Sequence, residues 1–211
     1  MAGGKREMLT EFNRGNIMNA AKILFETRGV AGTTMDDIAK KADYSKSTIY
    51  IYFKSKDEIY HRILLESMVL LRDRLMAAVR AGAGFEENYF SICRELTGFQ
   101  REYPLYFNSI SDEISVDEED FERYPVLRDI YNVGEEINGV LSALLIKGME
   151  GGGLRAGLKP VPTILTMWAS LCGVIKMAGQ KEKYLKKLQI NKREYLDDSF
   201  RMLLNSLKAG D

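Results

Sequence analysis

TTMDDIAKKADYSKSTIYIYFKSK, residues 33–56, is the stretch from which the rest of the chain can be placed. Thr34 is a good N-cap, Asp37 stands three residues later as a variant of the capping box, and Asp36 suits the positive end of the same helix. Ile38, Ala39 and Ala42 give that helix a small apolar face. Asp43 and Tyr44 make a turn, and Ser45 can cap the next helix, with Thr48 three residues on. Ile49 and Phe53 share one face of this helix and point inward, which leaves Lys46, Ser47, Thr48, Tyr50 and Tyr52 on its other faces. Two short helices, a tight turn and a basic, aromatic second helix are the geometry of a helix-turn-helix, whose second helix enters the major groove of DNA.

Upstream, residues 1 to about 11 are polar and expected to fray. A helix is expected from Phe12, because Ile17, Ala20, Ala21, Leu24 and Phe25 fall on one helical face, and Gly29 suits a left-handed cap after it. Downstream, Ser55 caps a longer helix with Asp57 and Glu58 in its first turn and Ile59, Ile63, Leu64, Met68, Leu71 and Leu75 in a stripe. Gly82 and Gly84 break it. Phe85 to Arg101 reads as another helix, with Tyr89, Ile92, Cys93, Leu96 and Phe99 on its apolar side, and Tyr103-Pro104 interrupts it. Pro125 opens a long helix carrying Ile130, Val133, Ile137, Val140, Leu141, Leu144 and Leu145, closed by Gly151-Gly152-Gly153. Pro160 and Pro162 start the next, with Ile164, Leu165, Trp168, Leu171, Cys172 and Ile175 in one stripe. A last helix from about Lys192 holds Leu196, Phe200, Leu203, Leu204 and Leu207 on one side. No strand alternation or repeat stands out, so the chain reads as all-α.

Lys plus Arg and Asp plus Glu are equal at 30 each, so a nucleic-acid binder must concentrate its positive charge locally. It does so modestly: residues 45–56 hold Lys46, Lys54 and Lys56 and no acid. Lys176 to Arg193 is a second basic run, and Asp112 to Glu122 an acidic one; both read as solvated, and neither has a metal-type pattern. No apolar run is expected to span a bilayer, and no apolar segment of a signal peptide follows Lys5 and Arg6, so a cytoplasmic location is expected. Cys93 and Cys172 lie in apolar helical patterns and read as buried, reduced thiols. His61 is the single histidine and reads as a helix-surface residue; one His forms neither a triad nor a His-rich metal site. The triple glycine has no GK[ST] after it and is no phosphate loop. No enzyme activity, cofactor or metal is expected.

Phe25, Gly29, Thr33-Thr34, Ile38-Ala39, Ala42, Ser45, Thr48-Ile49-Tyr50, Tyr52-Phe53 and Lys56, in this order, resemble the DNA-binding domain of the TetR family of bacterial transcriptional regulators. The resemblance covers residues 12–60; beyond them it rests on length and helical pattern. Asp43 stands where the family's turn usually has Gly, and Ser47 where a small residue is common. The resemblance implies a three-helix DNA-binding head over residues 1–54 and a larger helical ligand-binding and dimerisation domain over 55–211. It implies that Thr34, Tyr52 and Lys56 hold phosphates, while Ser45, Lys46, Ser47, Thr48 and Tyr50 lie at the reading helix; packing of Tyr50 on the first helix is the alternative. The helices near 160–178 and 192–208 would build a four-helix bundle across a homodimer axis, or else complete the monomer core.

Met and aromatic residues are frequent in the middle of the chain. Met68, Tyr89, Phe90, Cys93, Phe99 and Tyr103, with Phe107, Ile137 and Trp168, can line a cavity for a small effector, and residue by residue they read more simply as core. The expected function is a ligand-responsive regulator, a repressor released from a palindromic double-stranded DNA operator by an apolar or weakly polar effector. The alternative is a helical DNA-binding or adaptor protein without an effector.

Overall fold

The computed structural model describes residues 2–110 and 117–209. Helix α1 (Ala2–Arg28) starts ten residues before the expected Phe12. Lys5, Arg6, Glu7, Met8, Leu9 and Glu11 are all strong helix formers, so a helix nucleated by the packed Ile17–Phe25 face propagates outward through exposed residues instead of fraying at Phe12. Gly29 adopts φ 73°, the left-handed conformation that ends α1. Helices α2 (Met35–Ala42) and α3 (Lys46–Tyr52) follow and pack on α1. Asp43 sits at φ 59°, ψ 40°, carrying the turn in the left-handed conformation that Gly would adopt without strain.

Then come α4 (Lys56–Ala78), α5 (Phe85–Glu102), α6 (Pro104–Ser109), α7 (Glu118–Arg123), α8 (Pro125–Glu150), α9 (Pro160–Gln180), α10 (Glu182–Lys187) and α11 (Lys192–Asn205). The fold is all-α, as expected, with one isolated bridge between Leu154 and Lys208 among the described residues. The short α10 was not legible in the basic run. Glu182 opens it and holds Lys186 and Lys192, at 2.9 and 3.3 Å. Asp112 and Glu113 lie outside the described residues, and the rest of the acidic run opens α7; among the described residues no cluster suits a metal ion.

Two compact units emerge. The first takes the described residues of 1–67 and 108–131, the second those of 68–107 and 132–211. The sequence expectation had divided the chain at residues 54 and 55, between α3 and α4. The boundaries at 67/68 and 131/132 fall within the residue ranges of α4 and α8. In the first unit Ile17, Ala21, Ile38, Ile49, Ile59 and Ile63 are fully buried. In the second, α5, α9 and α11 pack together over Leu96, Phe99, Ile175 and Leu204. Asn88 is buried but satisfied: its amide accepts from Arg80 N and donates to the Arg80 and Ala83 carbonyls, which pins the chain between α4 and α5. Gly148 lets α8 approach closely, because a Cβ there would lie 2.7 Å from Leu154 Cδ1.

Helix α9 departs from two expectations. It is long and apolar enough to cross a membrane by length and composition, which the sequence reading had excluded. Only 28% of its apolar stretch is buried. Leu165, expected in the inward stripe, is 55% exposed. It follows Ile164 by one residue and is therefore turned about 100° round the helix.

Phe53 is 1% exposed and carries the Arg14 guanidinium over its ring at 5.6 Å. Phe53→Ala is expected to cost about 3–5 kcal/mol in urea denaturation followed by circular dichroism. Asp43→Gly should stabilise by less than about 1 kcal/mol, since relief of left-handed strain is offset by the freedom glycine gains in the unfolded chain.

Candidate nucleic-acid interface

The caps of α2 and α3 are built as the spacing predicts. Thr34 Oγ1 accepts from Asp37 N at 3.1 Å and donates to Asp37 Oδ2 at 2.6 Å, while Thr34 N donates to the same carboxylate at 3.0 Å. These hydrogen bonds from Thr34 hold the Asp37 carboxyl below its ordinary pKa. Ser45 Oγ accepts from Thr48 N at 3.1 Å and lies within 2.8 Å of Ser47 Oγ and 2.7 Å of Thr48 Oγ1. Three hydroxyls therefore cluster at the first turn of α3, where its free N–H groups concentrate positive potential.

The seat of α3 is Ile49, fully buried, and Phe53 beyond its last turn. With that face fixed, Ser45, Lys46, Ser47 and Tyr50 are exposed, and Thr48 and Tyr52 are half-buried. Tyr50 is 46% exposed, so much of its side chain stays open to solvent. Ile51 is 77% exposed on the same helix and was not singled out from sequence.

Two of the lysines expected at the DNA have partners within the protein. Lys46 Nζ lies 2.7 Å from Asp36 Oδ1, which raises the lysine pKa. Both groups are more than half exposed, so the pair is weak and readily exchanged for another anion. Lys56 Nζ donates to the Val30 carbonyl at 2.7 Å, tying the start of α4 to the connection after α1. An ammonium has three donors, so this bond leaves two for other acceptors.

Asn13 was invisible in the sequence reading. Its Nδ2 donates to Tyr52 Oη at 2.8 Å, and its Oδ1 accepts from Tyr44 Oη at 2.7 Å. Tyr52 Oη thus has its acceptor side occupied, and its own proton is directed elsewhere. The partners are 31 and 39 residues away in sequence, and no periodicity carries such a signal.

His61 is also placed differently from expectation. It is half-buried against Tyr124, ring centroids 5.3 Å apart in an edge-on arrangement, not free on a helix surface. Burial lowers its pKa, opposed by Asp57 and Asp120.

The proposed effector-lining residues do not form one site. Tyr89 and Trp168 line a small apolar cavity of about 60 Å³ together with Phe85, Met167, Leu171 and Leu207. Phe90 and Cys93 instead line a surface groove. Met68, Phe99, Phe107 and Ile137 are buried core, and Tyr103 is half-buried, stacked on Tyr106 at 5.6 Å. Burial pushes the Cys93 and Cys172 thiols up to about 12, so both are inert hydrophobes at neutral pH.

A double-mutant cycle tests the role of Asn13. If Asn13 orients the Tyr52 hydroxyl towards a phosphate, Asn13→Ala and Tyr52→Phe each weaken DNA binding, and the double variant loses no more than about the larger single effect. Additive losses would separate the two side chains. Asp36→Asn, which releases Lys46, is expected to raise DNA affinity most at low salt in the same titrations.

Comparison with known proteins agrees with this geometry. Residues 17–63 match the family model described as "Bacterial regulatory proteins, tetR family". The HTH-type transcriptional regulator YhgD of Bacillus subtilis is 30% identical over 89 residues, 42% of this chain and 47% of that protein, so the match spans about half of the relative's length. RutR of Escherichia coli K12 is 27% identical over 191 residues, 85% of this chain and 81% of that one. Among solved structures, the transcriptional regulator FadR of Bacillus subtilis in complex with stearoyl-CoA superposes with a TM-score of 0.69 at 16% identity, covering 91% of this chain and 98% of that one, a likeness of fold. The capped helix pair lies within residues 17–63, which match the tetR family of bacterial regulatory proteins, and the helical body is similar in fold to that of solved regulators.

Proposed function

We propose that the protein is a homodimeric, ligand-responsive transcriptional regulator that represses by binding a palindromic DNA operator. The observation that carries this reading is α3 itself: a helix capped by Ser45, seated on Ile49 and Phe53, with Lys46, Ser47 and Tyr50 left outward at major-groove reach. In this reading Thr34, Tyr52 and Lys56 grip phosphates, and Lys46, Ser47, Thr48 and Tyr50 address base edges.

The exposed faces of α9 and α11 support dimerisation. Val161, Leu165 and Met177 of α9 are 54, 55 and 44% exposed, and Met202 of α11 is 67% exposed. Ala169 and Gly173, spaced four residues apart between Leu165 and Met177 on the same side of α9, are small and exposed, so a second helix can approach closely there. A second copy covering this face buries what water would otherwise meet and sets two heads on a two-fold axis.

The effector is proposed to be apolar or weakly polar and to enter the Trp168 cavity. At about 60 Å³ that cavity is far below the roughly 300–1,000 Å³ of small-molecule sites. An effector must therefore bind an opened state better than this one, and that difference is what it can transmit along the continuous helix α4. FadR, whose structure contains stearoyl-CoA, supports an acyl-type effector as one choice to screen. The small cavity also favours the second reading, a DNA-binding protein of this fold without an effector.

Mobility shifts with the chain's own upstream promoter DNA at two salt concentrations test the reading. A specific, salt-sensitive complex with one dimer per palindrome is expected; no specific fragment in a genome-wide selection would sink it. Lys56→Ala should weaken binding to all sequences alike and lower the salt slope by about one unit. Trp168 is the chain's single tryptophan, so entry of an effector into its cavity should shift the emission. If only strongly charged metabolites both shift it and release DNA, the proposed effector class is wrong.

A further inference from the structure

Helices α5 and α11 enclose a surface groove of about 680 Å³ in the second unit. Its volume falls within the range of about 300–1,000 Å³ typical of small-molecule sites, which the Trp168 cavity does not reach. The floor is apolar: Phe90 and Cys93 from α5, Leu196 and Phe200 from α11. Cations dominate the rim, with Arg94 and Arg101 on one side and Arg193 and Arg201 on the other, against Glu87 and Asp197.

The two acids are already engaged. Glu87 accepts from Arg80, which lies outside the groove, and Asp197 is 3.9 Å from Arg193. Arg101 lies 3.6 Å from Glu102. Arg94 and Arg201 have no ion-pair partner among the described residues. The Arg201 guanidinium instead lies 5.5 Å from the Phe90 ring centroid, which holds it over the floor. Gathering guanidiniums around an apolar floor costs mutual repulsion, and an anion relieves it. Their planar, forked donors match the oxygens of a phosphate or carboxylate.

We infer that this groove binds an organic anion with an apolar body, its phosphate or carboxylate head on Arg94 and Arg201 and its apolar part against Phe90 and Phe200. The groove is separate from the Trp168 cavity, because α5 presents Tyr89 and Ile92 to one and Phe90 and Cys93 to the other. One bond joins the two: Tyr89 Oη donates to the Phe200 carbonyl at 2.9 Å, linking a side chain of the cavity to the backbone that floors the groove. Binding in the groove is independent of the DNA-binding reading; any effect of the anion on operator affinity rests on it.

Isothermal titration calorimetry of the full chain with dodecyl phosphate, dodecanoate and dodecanol, each below its aggregation concentration, tests the site. At least one anion should bind at least about tenfold more tightly than dodecanol and weaken with salt. The Arg94→Gln/Arg201→Gln protein should lose at least about tenfold of that affinity while keeping its melting temperature. The single Arg94→Gln chain repeats the test with the Arg201–Phe90 contact intact, and Arg94→Lys should recover part of the loss. Whichever anion binds better identifies the head group. Dodecanol binding as well as both anions, or anion affinity unchanged in both arginine variants, would overturn the inference. Mobility shifts without any added amphiphile are run in parallel, so failure of DNA binding bears on the regulator reading alone.

Discussion

Burial of Ile49 and Phe53 is the constraint on which the head depends. A seven-residue helix has little stability of its own, since nucleation costs more than so few hydrogen bonds return. α3 persists because its inward face is fully enclosed and its first turn is capped by Ser45. The same burial decides orientation: once two side chains are locked inward, the periodicity of the helix points Lys46, Ser47 and Tyr50 away from the protein. Specific chemistry on the outer face is thus a by-product of apolar packing on the inner one.

Local devices were legible in the sequence because they act over three or four residues. Thr34 with Asp37, Ser45 with Thr48, and Asp43 in a left-handed turn all lie where spacing and residue type place them. The apolar stripes of α4 and α5 were legible for the same reason. What escaped was set by distance along the chain. The Tyr44–Asn13–Tyr52 network joins α1 to the turn and to α3, and the arginines of the α5–α11 groove come from helices about a hundred residues apart. Residue type alone points to the nine expected cavity residues, and type does not distinguish a residue facing a void from one facing a neighbour. The length of α1 is not legible in periodicity because its exposed first residues lack a stripe, although their propensity sustains a helix that is already nucleated.

Charge is arranged by restraint. Two of the head's lysines are held within the protein: Lys46 by Asp36 and Lys56 by a carbonyl. Such weak internal partners reduce attraction to any passing polyanion while remaining easy to displace where geometry offers something better. In the second unit Arg94 and Arg201 have no ion-pair partner among the described residues and lie beside an apolar floor.

The uncovered apolar side of α9 bears on how the chain lives at low abundance. Whatever covers that face contributes its binding free energy to the folded state alone, so resistance to unfolding rises with the concentration of the covering partner. If that partner is another copy, a scarce protein is also a less durable one, and its turnover falls as it accumulates. In that case the chain would carry a threshold in its own expression level, set by helix chemistry.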